Sequence, residues 1–199
     1  SGYGALYSNT TGYRNTASGM RALALNTTGS YNTATGYNAL NANTTGSANT
    51  ASGSYSLYSN TSGNYNVFIG KNAAYDAVGA HNMVGVGYDV LMNYTQVGAG
   101  WTTAMGYRAM YNIETGSNNV AIGAETMYGK LGTTNSDNVA IGGSALYTAS
   151  GVTNTVAIGH YSMNTATTGV KNVAVGAYTL DALTTASGNV AVGYNSLSA

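Results

Sequence analysis

The sequence contains no cysteine, only two histidines and very few charged residues. Without cysteine, neither a disulfide framework nor a thiolate metal site can form, and two histidines offer little for a histidine-built metal site. Six basic and six acidic side chains cancel to a net charge of zero. The basic residues stand singly rather than in clusters, so binding to nucleic acid is not expected. We predict neither a metal site nor a cofactor.

Long apolar runs are also absent. No run approaches the roughly 20 residues that span a bilayer, so we expect no membrane insertion of this segment. The chain begins at Ser1 within a repeat and shows no secretion signal at that point. We therefore expect it to be a fragment of a longer fibre.

Glycine recurs at a fixed short period along the whole chain. The spacing is seventeen residues, except for two steps of nineteen, and the series is Gly2, Gly19, Gly36, Gly53, Gly70, Gly87, Gly106, Gly123, Gly142, Gly159, Gly176 and Gly193. A short fixed period indicates supersecondary units that bury their apolar faces only by stacking on their neighbours. We predict a single repeat array over residues 1–199, with about twelve coils and two enlarged cycles whose extra residues form loops. Function is then expected on the surface rather than in a pocket.

The residues around each glycine, which we number as position zero, repeat as well. Positions −3 and −1 are mostly β-branched with a small residue between them, as in Asn-Val-Ala-Ile at 119–122 and 138–141. This alternation predicts a short strand. Position +4 is Leu or Met in nearly every copy, which predicts a tight corner and a second short strand. Turns such as Asn-Thr-Thr-Gly at 9–12 and 26–29 complete the cycle.

These elements predict an all-β protein, a parallel β-roll or β-solenoid. We expect positions −3 and −1 to face the interior of the coil and the alanine at −2 to pack against sister chains. Because only positions −3, −1 and +4 are reliably apolar, one coil has little interior of its own. The sequence therefore predicts a homo-oligomer, which normally closes with cyclic symmetry.

Two of these repeat motifs resemble the repeats of known fibrous proteins. Asn-Val-Ala-Ile-Gly at 119–123 and 138–142 resembles the head repeats of trimeric autotransporter adhesins. Gly-Tyr-Asn-Ala-Leu at 36–40 and the segment at 26–34 are more similar to repeats of phage and bacterial tail-fibre proteins. The resemblance covers essentially the whole chain, although the adhesin repeats are shorter than seventeen residues. It implies a homotrimeric extracellular fibre, on a cell-surface appendage or a virion, that positions or forms a surface for a glycan or protein receptor.

Catalysis is not expected from the few ionisable residues. His81 and His160 lie at different repeat positions, so they cannot share a site within one chain. Asp89, Arg108 and Glu125 all occupy position +2 of successive cycles, which predicts an acid–base–acid ladder on the surface. A carboxylate pair of this kind would also suit a glycosidase, but the intervening arginine would keep both carboxylates ionised. We predict a non-enzyme, with a glycan-cleaving fibre as a minor alternative.

Tyrosine is the main functional candidate, with 18 residues against one Phe and one Trp. Tyrosines recur at positions +5 and +1, which we predict to lie outside. They can bind sugar rings or proteins, as tyrosine does at interfaces, or stack on one another, as in Tyr111, Tyr128 and Tyr147. Trp101, in the first enlarged cycle and beside Tyr88 and Tyr107, is the candidate ligand contact.

Two further surface patterns are weaker. Asn-x-Ser/Thr acceptor motifs for glycosylation occur at Asn9, Asn26, Asn43, Asn60 and Asn93, although turn chemistry explains the first four without a sugar. Thr16, Thr33 and Thr50 could form an ice-binding threonine array. Valine replaces them in later cycles, so we expect these positions to face inward, which disfavours ice binding.

The resulting prediction is a structural and adhesive fibre segment with a receptor-binding surface. The principal alternative is a purely structural extracellular filament subunit without a receptor.

Overall fold

The computed structural model describes residues 1–198, except for the side chain of residue 99. Short parallel strands recur throughout these residues. The chain divides into two compact units, one spanning Ser1–Trp101 and the other beginning at Thr102. The described residues contain no helix. Each unit is a parallel β-solenoid whose strands recur at a spacing of about seventeen residues, which confirms the predicted fold class.

The strands are two or three residues long. In the first unit they are β1 (Thr16–Ser18), β2 (Thr33–Thr35), β3 (Thr50–Ser52), β4 (Val67–Ile69), β5 (Ala80–His81), β6 (Val84–Val86) and β7 (Gly98–Ala99). In the second unit they are β8 (Thr103–Met105), β9 (Val120–Ile122), β10 (Val139–Ile141), β11 (Val156–Ile158), β12 (Val173–Val175) and β13 (Val190–Val192).

Each strand pairs with the equivalent residues of the next turn. Thr16 pairs with Thr33 in the first unit, and Val139 pairs with Val156 in the second. Strands β1, β2, β3, β4 and β6 form one ladder, β5 pairs with β7, and β8 to β13 pair in chain order. Equivalent positions of successive turns are therefore neighbours in space within each unit, as the repeat predicts.

The periodic glycines allow this stacking. All twelve have a φ between +122° and +146°, a conformation that residues with a Cβ rarely adopt. The backbones also approach closely, because a Cβ added at Gly159 would lie only 2.3 Å from the carbonyl oxygen of Gly176. The glycine period is thus required both by the backbone turn and by the contact between turns.

The orientation of the strands is the reverse of the sequence prediction. The alanine at −2 faces the interior and is fully buried in most turns, as at Ala34, Ala121 and Ala157. The β-branched residues at −3 and −1 flank it on the outside, exposed or half-buried. The predicted inward direction of −3 and −1 is therefore wrong. In so thin a coil, the leucine and methionine of position +4 already fill the interior and leave room for little more than a methyl group.

In one turn a larger side chain replaces the alanine at −2, and the next turn has a glycine at this position. Phe68 occupies this position and is fully buried. Its vertical partner is Gly85, where an added Cβ would lie 2.3 Å from the Phe68 ring. The larger side chain is accommodated because its neighbour has none.

The predicted second strand at positions +3 and +4 is also wrong. The chain there forms a ribbon in which positions +2 and +4 are left-handed, as at Arg21 (φ 55°) and Leu23 (φ 51°). This conformation costs about 1–2 kcal/mol per non-glycine residue. Complete burial of Leu23, which contributes about 1.5–3 kcal/mol, offsets the strain. The ribbon keeps its contact between turns because the Leu23 N–H donates to the Ala39 carbonyl at 3.0 Å.

Buried asparagines complete the interior as vertical ladders. The Nδ2 of Asn43 donates to Oδ1 of Asn26 at 2.7 Å and to the Gly46 carbonyl at 2.9 Å. At position −4, the Nδ2 of Asn49 donates to Oδ1 of Asn32 at 3.1 Å. These amides provide partners for turn carbonyls that water cannot reach, and such buried groups are costly when unpaired.

The two enlarged cycles behave differently. The cycle at 123–142 exposes residues 130–132, as predicted. The cycle at 87–106 also exposes Thr95 and Val97, but it places Tyr94 in the interior, at the position that Asn26, Asn43 and Asn60 occupy in earlier turns. Strand β7 of this cycle pairs with β5, which lies in the preceding cycle of ordinary length.

We predict that Gly159→Ala destabilises the fold more than Gly193→Ala. Both glycines have positive φ, which costs a side chain about 1–3 kcal/mol, but a Cβ at Gly193 meets nothing within 4 Å. Overpacking against the Gly176 backbone should cost Gly159→Ala about 1–3 kcal/mol more. Urea unfolding of the two variants measures this difference, and equal losses would contradict the proposed close contact.

Candidate functional site

Tyrosine rings form the main surface feature, and many of them stack on each other. The ring centroids of Tyr111 and Tyr128 lie 5.3 Å apart with planes 10° from parallel, and those of Tyr128 and Tyr147 lie 5.1 Å apart at 16°. In the first unit Tyr58 stacks on Tyr75 at 5.0 Å and 15°. The predicted mutual stacking of position +5 is confirmed, so many ring faces are covered by neighbouring rings.

The three candidate ligand contacts belong to different units. Trp101 and Tyr88 lie in the first unit, Tyr107 lies in the second, and all three are exposed. The Lys71 ammonium lies 5.7 Å from the Tyr88 ring centroid, and the Arg108 guanidinium lies 5.1 Å from that of Tyr107. Both tyrosines therefore contact a cation of their own unit.

Trp101 belongs to a surface column that sequence reasoning missed. It occupies position −5, a left-handed position with φ 46°, which Tyr31 and Tyr65 occupy in earlier turns. The exposed fractions of Tyr31, Tyr65 and Trp101 are 48%, 67% and 61%. The signal was present in the sequence as the recurrence of aromatic residues at −5 in alternate turns.

The charged residues at position +2 contact tyrosines or polar groups. Asp89 is buried in the first unit and accepts a hydrogen bond from Asn72 Nδ2 at 3.0 Å. In the second unit the Arg108 guanidinium also lies 5.2 Å from the Tyr111 ring centroid. Burial, and after it the Glu125 carboxylate, raise the pKa of the Tyr147 hydroxyl, while Arg108 acts in the opposite direction. Arg108 and Glu125 therefore lie near enough to Tyr147 to change the pKa of its hydroxyl.

The two histidines lie in different units and have structural partners. His81 Nδ1 accepts the backbone N–H of Asn64 at 3.0 Å. The His160 ring contacts the ring of Tyr161 edge to face, with centroids 4.2 Å apart. Residues 1–198 contain no group of three or more acidic or histidine side chains placed to hold a metal ion.

The glycosylation motifs coincide with the interior ladder. Asn26, Asn43 and Asn60 are fully buried, and each donates from Nδ2 to the asparagine one turn earlier, at 2.7, 2.7 and 3.0 Å. A glycan on any of these nitrogens is incompatible with the ladder. Asn9 and Asn93 are half-buried, and they remain the candidates that a glycosylating host could modify.

The threonine array lies outside rather than inside. Thr16 and Thr33 are exposed and Thr50 is half-buried, so the inward direction used against ice binding is wrong. The equivalent positions of the later strands carry valine, as at Val67 and Val120, except for Thr103 in β8. The array therefore extends over only three turns, which still disfavours an ice-binding surface.

Three shallow grooves follow the tyrosine-bearing corner of the turns. In the first unit a groove of about 510 Å³ is lined by Tyr3, Tyr7, Arg21, Leu25 and Asn41, among others. In the second unit one groove of about 400 Å³ is lined by Tyr161, Asn164, Thr165, Tyr178 and Asp181. Another of about 330 Å³ lies beside Tyr128, Lys130, Tyr147 and Thr167. The candidate functional surface is therefore this corner, together with the exposed aromatic column at position −5.

The described residues include no helix that is long and apolar enough to cross a membrane. Comparison of the chain with protein-family models, with curated proteins and with solved structures found no match.

We predict that the fold loses stability between about pH 10 and about pH 12 because of Tyr94. Burial raises the pKa of Tyr94 from 10.0 to about 12, so the unfolded chain releases this proton at a lower pH than the folded chain does. Ionisation therefore favours unfolding as the pH rises, by about 2–3 kcal/mol across the window. Tyr94→Phe should make the alkaline loss smaller than in the wild type, and the exposed Tyr65→Phe should leave it unchanged. Urea unfolding on both sides of the window measures the effect, and identical pH profiles for the two variants would contradict it.

Proposed function

We propose that this chain is a segment of a structural and adhesive fibre. In this proposal it assembles as an extracellular homotrimer, on a cell-surface appendage or a virion, and presents a binding surface for a cell-surface glycan or protein. The observation that carries the proposal is the apolar outer face of the parallel sheet, which covers β9 to β13 in the second unit and β4 and β6 in the first, beyond the Thr/Ser face of β1 to β3. The resemblance of the repeats to tail-fibre and adhesin-head repeats supports the same conclusion.

The outer sheet face is suited to packing against another chain. Positions −3 and −1 carry exposed apolar side chains, including Val67, Ile69 and Val84 in the first unit and Met105, Ile122, Val190 and Val192 in the second. Contiguous apolar patches on monomers rarely exceed a few hundred Å² and often mark interaction sites. Every copy of the chain carries the same face, so sister chains can cover it by closing around a symmetry axis.

This assignment corrects the surface used for association. The small −2 alanines were expected to contact sister chains, but they are buried inside each coil. The branched residues at −3 and −1 take that role in the proposal. Packing of this face leaves the tyrosine corner and the −5 aromatic column for a receptor.

A specific observation favours the alternative of a purely structural filament subunit. Tyr111, Tyr128 and Tyr147 cover one another's faces at 5.1–5.3 Å, and each such pair contributes about 0.5–1.5 kcal/mol to stability. A tyrosine that stabilises the coil in this way needs no receptor. Binding measurements, rather than geometry, separate the two functions.

We predict that the wild-type chain has about three times the 20.2 kDa mass of one chain in solution. Replacing Ile122 and Ile141 by lysine on the outer sheet face should give a folded monomer, because burying unpaired ammonium groups in the interface is costly. Thr168→Lys, at an exposed turn position, should remain trimeric. Light scattering coupled to size exclusion measures the masses, and a folded monomeric wild type would contradict the proposed trimer.

We also predict that the wild-type chain binds at least one structure on a cell-surface glycan array or an intact-cell binding assay. If the −5 aromatic column contributes, Trp101→Ala should weaken binding about tenfold or more, since buried aromatic contacts dominate interfaces. Leu131→Ala, an exposed apolar change in the second unit, is the matched control. Absence of wild-type binding in both assays would contradict adhesion and favour the filament subunit.

A further inference from the structure

The tyrosine column changes position in the second unit, and this change creates a groove. Position +5 carries Tyr111, Tyr128 and Tyr147 in three successive turns and then Asn164 and Asp181. In these last two turns the rings appear at +2 instead, as Tyr161 and Tyr178, with centroids 5.6 Å apart and planes 14° from parallel. The groove of about 400 Å³ lies between the shifted rings and the shorter polar side chains.

The shifted rings present their edges and hydroxyl groups to a ligand. Tyr161 and Tyr178 stack on each other, the His160 ring meets Tyr161 edge to face at 4.2 Å, and Tyr194 meets Tyr178 at 6.1 Å and 80°. Ring faces are therefore occupied by neighbouring rings. Beside the two phenols, the groove offers the Asn164 amide, the Thr165 side chain and the Asp181 carboxylate.

Asp181 has a hydrogen-bonding capacity that the fold does not use. Its Oδ1 is buried and accepts no hydrogen bond from the described residues, whereas its backbone carbonyl accepts both the N–H and the hydroxyl of Thr165. An unpaired buried carboxylate oxygen is costly, and such groups in native proteins call for an explanation. A ligand hydroxyl that draws the carboxylate into the groove would supply the missing donor.

We propose that this groove binds a neutral saccharide of one or two sugar residues. The proposal rests on the adhesive function above and identifies its ligand class and site. A carboxylate accepts hydrogen bonds from sugar hydroxyls, an amide both donates and accepts, and phenol hydroxyls do the same. The volume lies near the lower end of the roughly 300–1,000 Å³ of small-molecule sites.

The same residues argue against other ligands. Asp181 would repel an acidic sugar or a phosphate, and no lysine or arginine lines the groove. The described residues hold no group of three metal-binding side chains, so a directly coordinated cation is not favoured. A neutral polyhydroxylated ligand matches the donors, the acceptors and the charge.

Saturation-transfer NMR on the full chain tests the proposal, with the methyl glycosides of glucose, galactose, mannose and N-acetylglucosamine as probes. At least one glycoside should receive saturation from the wild-type protein. Asp181→Asn should weaken its binding about tenfold or more, because sites that hydrogen-bond a ligand hydroxyl discriminate strongly. Asp137→Asn makes the same chemical change at position −5, where the carboxylate pairs with Asn118, and should bind as the wild type does.

A second variant keeps the test decisive if Asp181→Asn fails to fold. The double change Tyr161→Phe and Tyr178→Phe retains the stacked rings and removes both hydroxyls, and it should also weaken binding. Tyr58→Phe, in the stack with Tyr75, is its control. Binding that is unchanged in both groove variants, or no saturation of any glycoside by the wild type, would overturn the saccharide site.

The outcomes separate this site from the wider proposal. If the wild type binds a glycan array and Trp101→Ala abolishes binding while Asp181→Asn does not, adhesion stands and the groove is not its site. If the wild type binds neither the array, nor intact cells, nor any of the four glycosides, both proposals fail. Loss of glycoside binding in the groove variants alone supports the site proposed here.

Discussion

The structure depends on backbone hydrogen bonds between equivalent residues of successive turns. These bonds form only if the two backbones approach closely at the periodic glycine, where a Cβ would lie 2.1–2.7 Å from the next turn in most copies. Once that distance is fixed, register has no freedom, since Thr16 must meet Thr33 and Val139 must meet Val156. The period of the sequence thus becomes a period in space, and every position of the repeat becomes a vertical column.

Each column repeats one type of side chain along a unit. The interactions that these side chains make depend on whether the column lies inside or outside the coil. Inside, asparagine amides bond to one another and to turn carbonyls, as Asn43 does with Asn26 and Gly46. Outside, the same spacing suits parallel aromatic rings, as for Tyr128 and Tyr147. A column is uniform only where its residues are, so the change from Tyr147 to Asn164 leaves an opening that a continuous stack would have closed. Surface chemistry in this fold arises where a column is interrupted.

The sequence was sufficient for the repeat, the strands at −3 to −1 and the buried position +4, because periodic spacing alone defines them. It was insufficient to predict which strand residues face the interior. An alternating Val-Ala-Ile segment does not say which face is inside when both alanine and valine are apolar, and only the small diameter of the coil decides for alanine. The left-handed residues at +4, such as Leu23, carry no sequence signal, because glycine or asparagine would be expected there. At +2 the signal is diluted, since Asn38 and Asn72 fit a left-handed position but Arg21 does not. The groove at Asp181 was missed since it depends on two columns changing together in neighbouring turns.

The ladder register has a consequence for how such a chain can change in length. Removing or adding a few residues within a turn would shift glycines, amides and strand residues out of their columns together. Removing or duplicating one complete period leaves each column continuous, because the new neighbours are chemically equivalent. Genetic variation in this protein should therefore be tolerated in whole-turn steps, and a longer or shorter version would retain the same side chains on each face.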